Sequence, residues 1–344
     1  MIRTVTLAGL ILSGALMSTA ETPREPYLFF RQQMGLTDAQ IAMISRGKAV
    51  AKVIPSRTPA EIIIFGAVFV DANPEDYLKL ALDPAWLRRS PSYLDVGRFS
   101  DPPVLSDLEG FSLEADDVRN LRSCRPGKCG VQLPAGAMQT LQRSIDWSRP
   151  DAATQVNHRV RTMALDILRR YQEDGNRVLG SYRDTDSPFD VNAQLQSLLG
   201  RSEVLPVYLP ELNRYLLDYP NTGLEESESL FYWERVNFGM KPTLRLNHAI
   251  SYHSSSPSGS VQVLAVKQLY ASHYFQLALD LTACVRGGGR TGEKGFYLIS
   301  LKGSTQQGLT GWKGSLLRMV IVSRTRSAQE NLLINIKRVL EEKR

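Results

Sequence analysis

Two hydrophobic rhythms divide this chain. Between Glu61 and Val70 the run Ile62-Ile63-Ile64-Phe65-Gly66-Ala67-Val68-Phe69-Val70 is apolar on both faces, which predicts a central strand, and a weaker extended pattern precedes it from Lys48 to Ile54. From Ser229 onward the period is two. In Thr243 to His253, Leu244, Leu246, His248, Ile250 and Tyr252 share one face, while Thr243, Arg245, Asn247, Ser251 and His253 share the other. Val261 to Tyr270 and Tyr274 to Val285 continue the alternation, the second grouping Phe275, Leu277, Leu279, Leu281 and Val285. Ser254 to Ser260 reads as a flexible turn, and Gly287-Gly288-Gly289 turns the chain into Phe296 to Lys302. Links this short predict one antiparallel meander.

Helical spacing fills the remainder. Tyr27 to Phe30 and Thr37 to Ser45 read as short helices, with Thr37 as N-cap and Gly47 as terminator. After Asp71-Ala72, Asn73 is placed to cap a helix opening at Pro74, and Glu75 and Asp76 suit the positive end of its dipole. Asp83-Pro84 breaks that helix, and Tyr93 to Phe99 reads as another strand closed by Asp101-Pro102-Pro103. The middle of the chain is mainly helical. Its clearest element places Val156, Val160, Met163, Ala164, Ile167, Leu168 and Tyr171 on one face, with His158 opposite as a surface residue. Further helices are expected at Asp190 to Leu199 and Pro210 to Leu217. A helix from Gly314 to Glu342 closes the chain, and its stripe Leu317, Ile321, Ala328, Leu332, Ile336 and Val339 is expected to lie on the sheet.

The first twenty residues change the picture by giving an address. Arg3, the apolar run Val5 to Met17 and the small residues Ser18-Thr19-Ala20 form a secretory signal peptide, with cleavage expected after Ala20 and a periplasmic or secreted destination. The run is shorter than the roughly 20 residues of a membrane-spanning helix, and no cysteine follows it to carry a lipid. Cleavage removes one charge, Arg3, so the net charge of +6 becomes 6 − 1 = +5. That excess is too diffuse to argue for nucleic acid. Cys124 and Cys129 bracket Arg125-Pro126-Gly127-Lys128, a turn that brings two sulfurs together, and an oxidising compartment favours a disulfide over a zinc site, which would need two more ligands. Cys284 falls in an apolar strand and reads as an inert buried thiol.

The segment Val70-Asp71-Ala72-Asn73-Pro74-Glu75-Asp76-Tyr77, running to Leu82-Asp83, resembles the first strand and helix of the START-like, or helix-grip, superfamily, and the closing helix resembles its grip helix. The resemblance covers residues 48–100 and 229–343 and leaves the helical middle unexplained. It implies an α+β fold in which an antiparallel sheet is gripped by a long C-terminal helix. The chain then divides into a signal peptide (1–20), an N-terminal helical segment (21–47), a first part of the START-like domain (48–103), a helical insertion (104–228) and the sheet with its closing helix (229–344). The resemblance further implies binding of a lipid or another apolar molecule between sheet and helix, although a few relatives perform cyclase or dehydratase chemistry. A curved sheet under a helix leaves concave space for such a ligand. Tyr232 or Trp233, His248, Tyr252, Tyr270 and Tyr274 are the candidate polar handles, set against the plain reading that aromatic residues in strands simply pack.

Catalytic signatures are sparse. His248 is the best acid–base candidate because the alternation sets it among Leu246, Ile250 and Tyr252, with Lys267, Tyr270 or His273 as possible partners; a structural histidine bonded to backbone or tyrosine is the plainer reading. Metal binding by His248, His253 and His273 is disfavoured, since the first two project to opposite strand faces. There is no Gly-x-Ser-x-Gly elbow, and Gly287 to Gly295 lacks the Gly-Lys-Ser/Thr ending of a phosphate loop. No metal or cofactor is called for. Arg324 and Arg326 on the closing helix read as a solvated face or as a transient contact with anionic head groups. Three functions follow as expectations: a binder of an apolar ligand, an enzyme with a His/Tyr pocket, and an envelope module that docks a protein through the insertion.

Overall fold

The computed structural model describes residues 26–256, 259–288, 294–306, 308, 309 and 311–342; the stretch 1–20 expected as a signal peptide lies outside them. A short π-helical turn (Phe29–Gln33) leads into α1 (Asp38–Ser45). Thr37 caps α1 as expected: the Gln40 amide donates to Thr37 Oγ1 over 3.3 Å, and the Thr37 amide donates to Gln40 Oε1 over 3.0 Å. Gly47, at φ +74°, turns the chain out of the helix. Strands β1 (Val50–Ile54) and β2 (Glu61–Val70) form a hairpin, followed by α2 (Pro74–Ala81) and α3 (Pro84–Leu87). Asn73 occupies the N-cap of α2 but its side chain makes no capping bond, so Pro74 and the acidic first turn start the helix instead. Asp83 does more than break α2, because its carboxylate accepts from the Ala85 amide at 2.9 Å and starts α3. Strand β3 (Tyr93–Arg98) completes this part.

The middle of the chain holds α4 (Ala115–Leu121), α5 (Ala135–Ser144), α6 (Ala152–Asp174), a two-residue ribbon β4 (Ser181–Tyr182) with β5 (Phe189–Asp190), then α7 (Val191–Gly200), α8 (Leu205–Tyr208) and α9 (Pro210–Asp218). The spacing of apolar residues exposes α6, α7 and α9. It hides α4 and α5, which bury only Val118 with Leu121 and Met138 with Leu141, one turn each, beside the buried Asp117. A disulfide joins Cys124 and Cys129 across the turn that contains Gly127 at φ +86°.

The meander follows as β6 (Ser227–Val236), β7 (Thr243–Ser256), β8 (Gly259–Ala271), β9 (Phe275–Gly288) and β10 (Lys294–Gln306), and α10 (Gly311–Glu342) closes the chain. The fold is α+β. Eight antiparallel strands run in the order β1-β2-β10-β9-β8-β7-β6-β3, so the last strand returns to pair with β2 and β3 forms the far edge. Ser254 to Ser260, expected as a turn, is strand as far as Ser256 and again from Gly259; residues 257 and 258 lie outside the described residues.

The two sheet faces are covered differently. One presents Phe65, Ala67, Phe69, Tyr297 and Ile299 to the N-terminal segment, and Leu246, Ile250, Val263, Leu279 and Leu281 to α4–α9 in a single hydrophobic cluster. The opposite face presents Val68, Val70, Phe296, Leu298 and Cys284 to α2 and α10. This is compatible with a helix-grip arrangement. The buried track of α10 differs from the expected stripe: Gln329, Leu333, Ile336, Val339 and Leu340 pack inward, whereas Leu317 and Leu332 remain 44% and 39% exposed and Ala328 faces solvent. Gly66 sets this register. A Cβ there would lie 2.9 Å from both Gln329 Cγ and Leu333 Cδ1, so its absence lets α10 settle on β2 at these two residues.

Candidate functional site

On the face that carries α10, alternation and register gather a polar cluster. Tyr232 pairs with Asn247 and Glu234 with Arg245 across β6 and β7; Asp280 pairs with Lys302 and Thr282 with Ser300 across β9 and β10. A bulge in the β7–β8 pairing sets Asn247 opposite Gln268. Arg245 Nη1 donates to Glu234 Oε1 over 2.8 Å, its Nε donates to Gln268 Oε1 over 3.2 Å, and Lys302 Nζ donates to Asp280 Oδ2 over 2.9 Å. Two cations and two carboxylates thus meet on one surface with no net charge between them.

Three tyrosines belong to the same field. Burial pushes the Tyr93 phenol far above its usual range, and the Glu234 carboxylate adds to that. Tyr232 is raised by burial and then by Glu234 and Tyr93. Tyr77, from α2, is raised by burial, with Cys284 adding and a bond to Thr282 opposing. All three are therefore neutral hydroxyl groups at ordinary pH. Burial also lifts the Glu234 carboxyl, and Arg245 and Asn247 pull it back. Arg245 loses by burial but gains more from Glu234 and Asp280, so its guanidinium is held charged.

Access separates this cluster from an ordinary core. Glu234 and Arg245 are nearly closed off, at 2% and 13% side-chain exposure, whereas Asp280 and Lys302 keep 25% and 33%. Tyr93, Tyr232 and Thr282 are half-buried. The principal strand contacts of α10 are with β2 and β1, and α2 lies against β8 and β9. Buried polar atoms lack partners here. Asn247 is 1% exposed, yet neither its Oδ1 nor its Nδ2 has a hydrogen-bond partner; it stands near enough to Glu234 to favour the carboxylate without meeting bonding geometry. Ser300 Oγ and Gln329 Nε2 are likewise buried and unbonded, on either side of Gly66, which pairs with Ser300. Leaving each such group unpaired costs about 1–3 kcal/mol, the kind of debt a polar ligand settles.

Of the expected handles, Tyr232 faces this cluster. Trp233, next along β6, points into the insertion core, where Nε1 donates to the Asp107 carbonyl over 2.7 Å. Tyr252 and Tyr270 also face the insertion, the former donating to Glu211 and the latter beside Tyr182 with ring centroids 6.3 Å apart. Tyr274 sits at the β8–β9 turn with φ +60°, and its hydroxyl accepts from the Lys241 amide at 3.1 Å. Register places Trp233, Tyr252 and Tyr270 with His248 on the sheet face away from α10.

His248 is fully buried on that same face. Its Nδ1 lies 3.1 Å from the Tyr171 hydroxyl and its Nε2 2.9 Å from Ser229 Oγ, with Phe231 stacked at 4.5 Å. Burial, and then the Lys267 charge, drive its pKa well below the ordinary histidine value. Lys267 is also fully buried; its Nζ donates to Asn176 Oδ1 over 2.6 Å, lies 4.6 Å from the Tyr171 ring centre, and is lowered by burial to about 7. Both ring nitrogens are engaged, as in a structural histidine. His273 Nε2 bonds Asp117 at 2.8 Å, and His253 Nε2 bonds Ser260 Oγ at 2.6 Å. Among the described residues no group of three His, Cys, Asp or Glu side chains is placed to hold a metal ion.

Sequence reasoning missed Glu234, Arg245, Asn247, Asp280 and Lys302. The signal was present: Arg245 and Asn247 alternate with apolar residues in a strand at the centre of a meander, but that pattern also describes a face open to water. No protein-family model matches the chain, and no curated protein matches it. No helix among the described residues is long and apolar enough to cross a membrane.

Proposed function

We propose that this is an exported, START-like protein that holds a lipid or other largely apolar small molecule between its sheet and α10, without transforming it. The observation that carries the reading is the set of buried, unbonded polar atoms of Asn247, Ser300 and Gln329 beside one nearly closed ion pair and one partly accessible ion pair, on the sheet face that α10 grips. Buried ion pairs contribute little to stability, so the arrangement makes more sense as recognition than as packing. Because the two pairs cancel in charge, the matching polar handle is neutral or zwitterionic. The ligand's body would lie along Leu230, Leu264 and Val266, which share this face with the cluster.

The disulfide suits an oxidising compartment, in keeping with a periplasmic or secreted site of action. The exposed Leu317, Met319 and Val320 on α10, with Arg324 and Arg326 further along, favour transient contact with a membrane surface during loading. Native mass spectrometry of the protein purified from its export compartment, followed by organic extraction, tests the reading. A stoichiometric amphipathic molecule of low net charge is expected, and a protein that is empty in every preparation overturns it.

A further inference from the structure

A cavity lies on the sheet face opposite the polar cluster, between the sheet and the paired helices α5 and α6, with a volume of about 560 Å³. That falls within the roughly 300–1,000 Å³ of small-molecule sites. Its body is apolar: Leu133, Val160, Met163, Ile167 and Leu269 line it, with Ala137 of α5 on one wall. Its inner end is closed by Leu246, Tyr182 and Tyr270, which are 2%, 4% and 8% exposed. Its outer end carries Arg170, Arg177 and Asp166, whose side chains are 52%, 74% and 61% exposed.

The two ends differ in what they can recognise. Tyr182 accepts from the Ala271 amide at 3.3 Å, and burial holds both tyrosines protonated, so the inner end offers neutral hydroxyl groups and no cation. The outer end offers two guanidinium groups. Arg170 is paired with Asp166 at 3.1 Å and Arg177 with Asp174 at 3.4 Å, in contacts three or four residues apart along the chain and open to water. Such exposed pairs are worth well under about 1 kcal/mol, so a ligand anion can replace either carboxylate at little cost. Arginine also grips a carboxylate through two parallel bonds. At the roughly 30 Å³ of a water-sized heavy atom, a space of 560 Å³ holds about 19 non-hydrogen atoms.

We propose that this cavity binds a single-chain apolar carboxylate of fatty-acid type, its chain running inward toward Tyr182 and Tyr270 and its head held at Arg170 and Arg177. This site is independent of the polar cluster on the α10 face, which lies across the sheet and suits a ligand of no net charge. The helical insertion thereby acquires a role of its own, as the wall of a second binding site.

The test is titration of the delipidated protein with hexadecanoate, about 18 non-hydrogen atoms and thus close to the size the cavity allows, and with 1-hexadecanol, each followed by calorimetry and native mass spectrometry. One equivalent of hexadecanoate is expected to bind, at least about tenfold more tightly than the alcohol. Ala137→Trp fills the space from a half-buried helix position and is expected to cut affinity for both probes by about tenfold or more while the melting transition stays cooperative. The double variant Arg170→Glu, Arg177→Glu leaves the core untouched and is expected to abolish the preference for the acid. Hexadecanoate binding that survives Ala137→Trp overturns the site. Equal affinity for acid and alcohol in the unaltered protein overturns the anionic head, as does a preference that persists in the double variant.

Discussion

Lys267 shows how far a residue's role depends on partners the local sequence does not contain. It stands opposite His248 in the β7–β8 register, yet its ammonium is enclosed by Asn176, Tyr171 and Tyr219 from the insertion. Burial lowers its pKa from 10.5 to about 7. The unfolded chain therefore holds a proton on this lysine across a range where the folded chain has released it, so Lys267 contributes stability that grows as pH rises from about 7 toward 10.5, by at most about 1.4 kcal/mol per pH unit. Lys267→Met removes that term. Denaturant unfolding at a series of pH values should show the rise in the unaltered protein and a flatter profile in the variant. His248 teaches the same lesson: its strand neighbours are legible in the alternation, but Tyr171, which engages its Nδ1, lies on α6 and belongs to a different rhythm. His248→Ala is expected to cost about 2–4 kcal/mol in thermal or chemical unfolding, since it opens a cavity and leaves Tyr171 and Ser229 without their partner.

At the scale of elements, strands were the most legible part of the chain and the helix register the least. Glu61–Val70 is recovered to the residue, and β6 to β10 differ from expectation at their ends, because a two-residue period tolerates no ambiguity about which positions share a face. In α10 several stripes of comparable apolarity coexist, and the choice among them is made by Gly66 on another element. Gly66→Val therefore separates propensity from packing. Valine favours a strand, but its side chain would drive into Gln329 and Leu333, so a loss of about 1–3 kcal/mol in chemical denaturation is expected. Helices α4 and α5 escaped notice because each shows a single apolar turn, too little to distinguish from loop.

The whole molecule is a sheet with two unlike coverings, and its candidate functions follow from that asymmetry. The α10 face was legible in outline, as a closing helix after a meander, while the charged row on that face was hidden by its likeness to a solvated strand face. The insertion was legible as helices but not as a covering, since nothing in its own pattern says which sheet face it meets; in the fold it shares one hydrophobic cluster with β6 to β9. Asn247 concentrates the central claim, because a buried amide with both atoms unbonded is a burden to the empty fold and an asset to a ligand. Asn247→Leu should then raise the melting temperature or leave it unchanged while lowering the amount of ligand that co-purifies by about tenfold, a result read by calorimetry and native mass spectrometry on the same sample. A variant that melts several degrees lower and retains its ligand in full would contradict the account, because Asn247 would then belong to the packing of the sheet and not to a binding site.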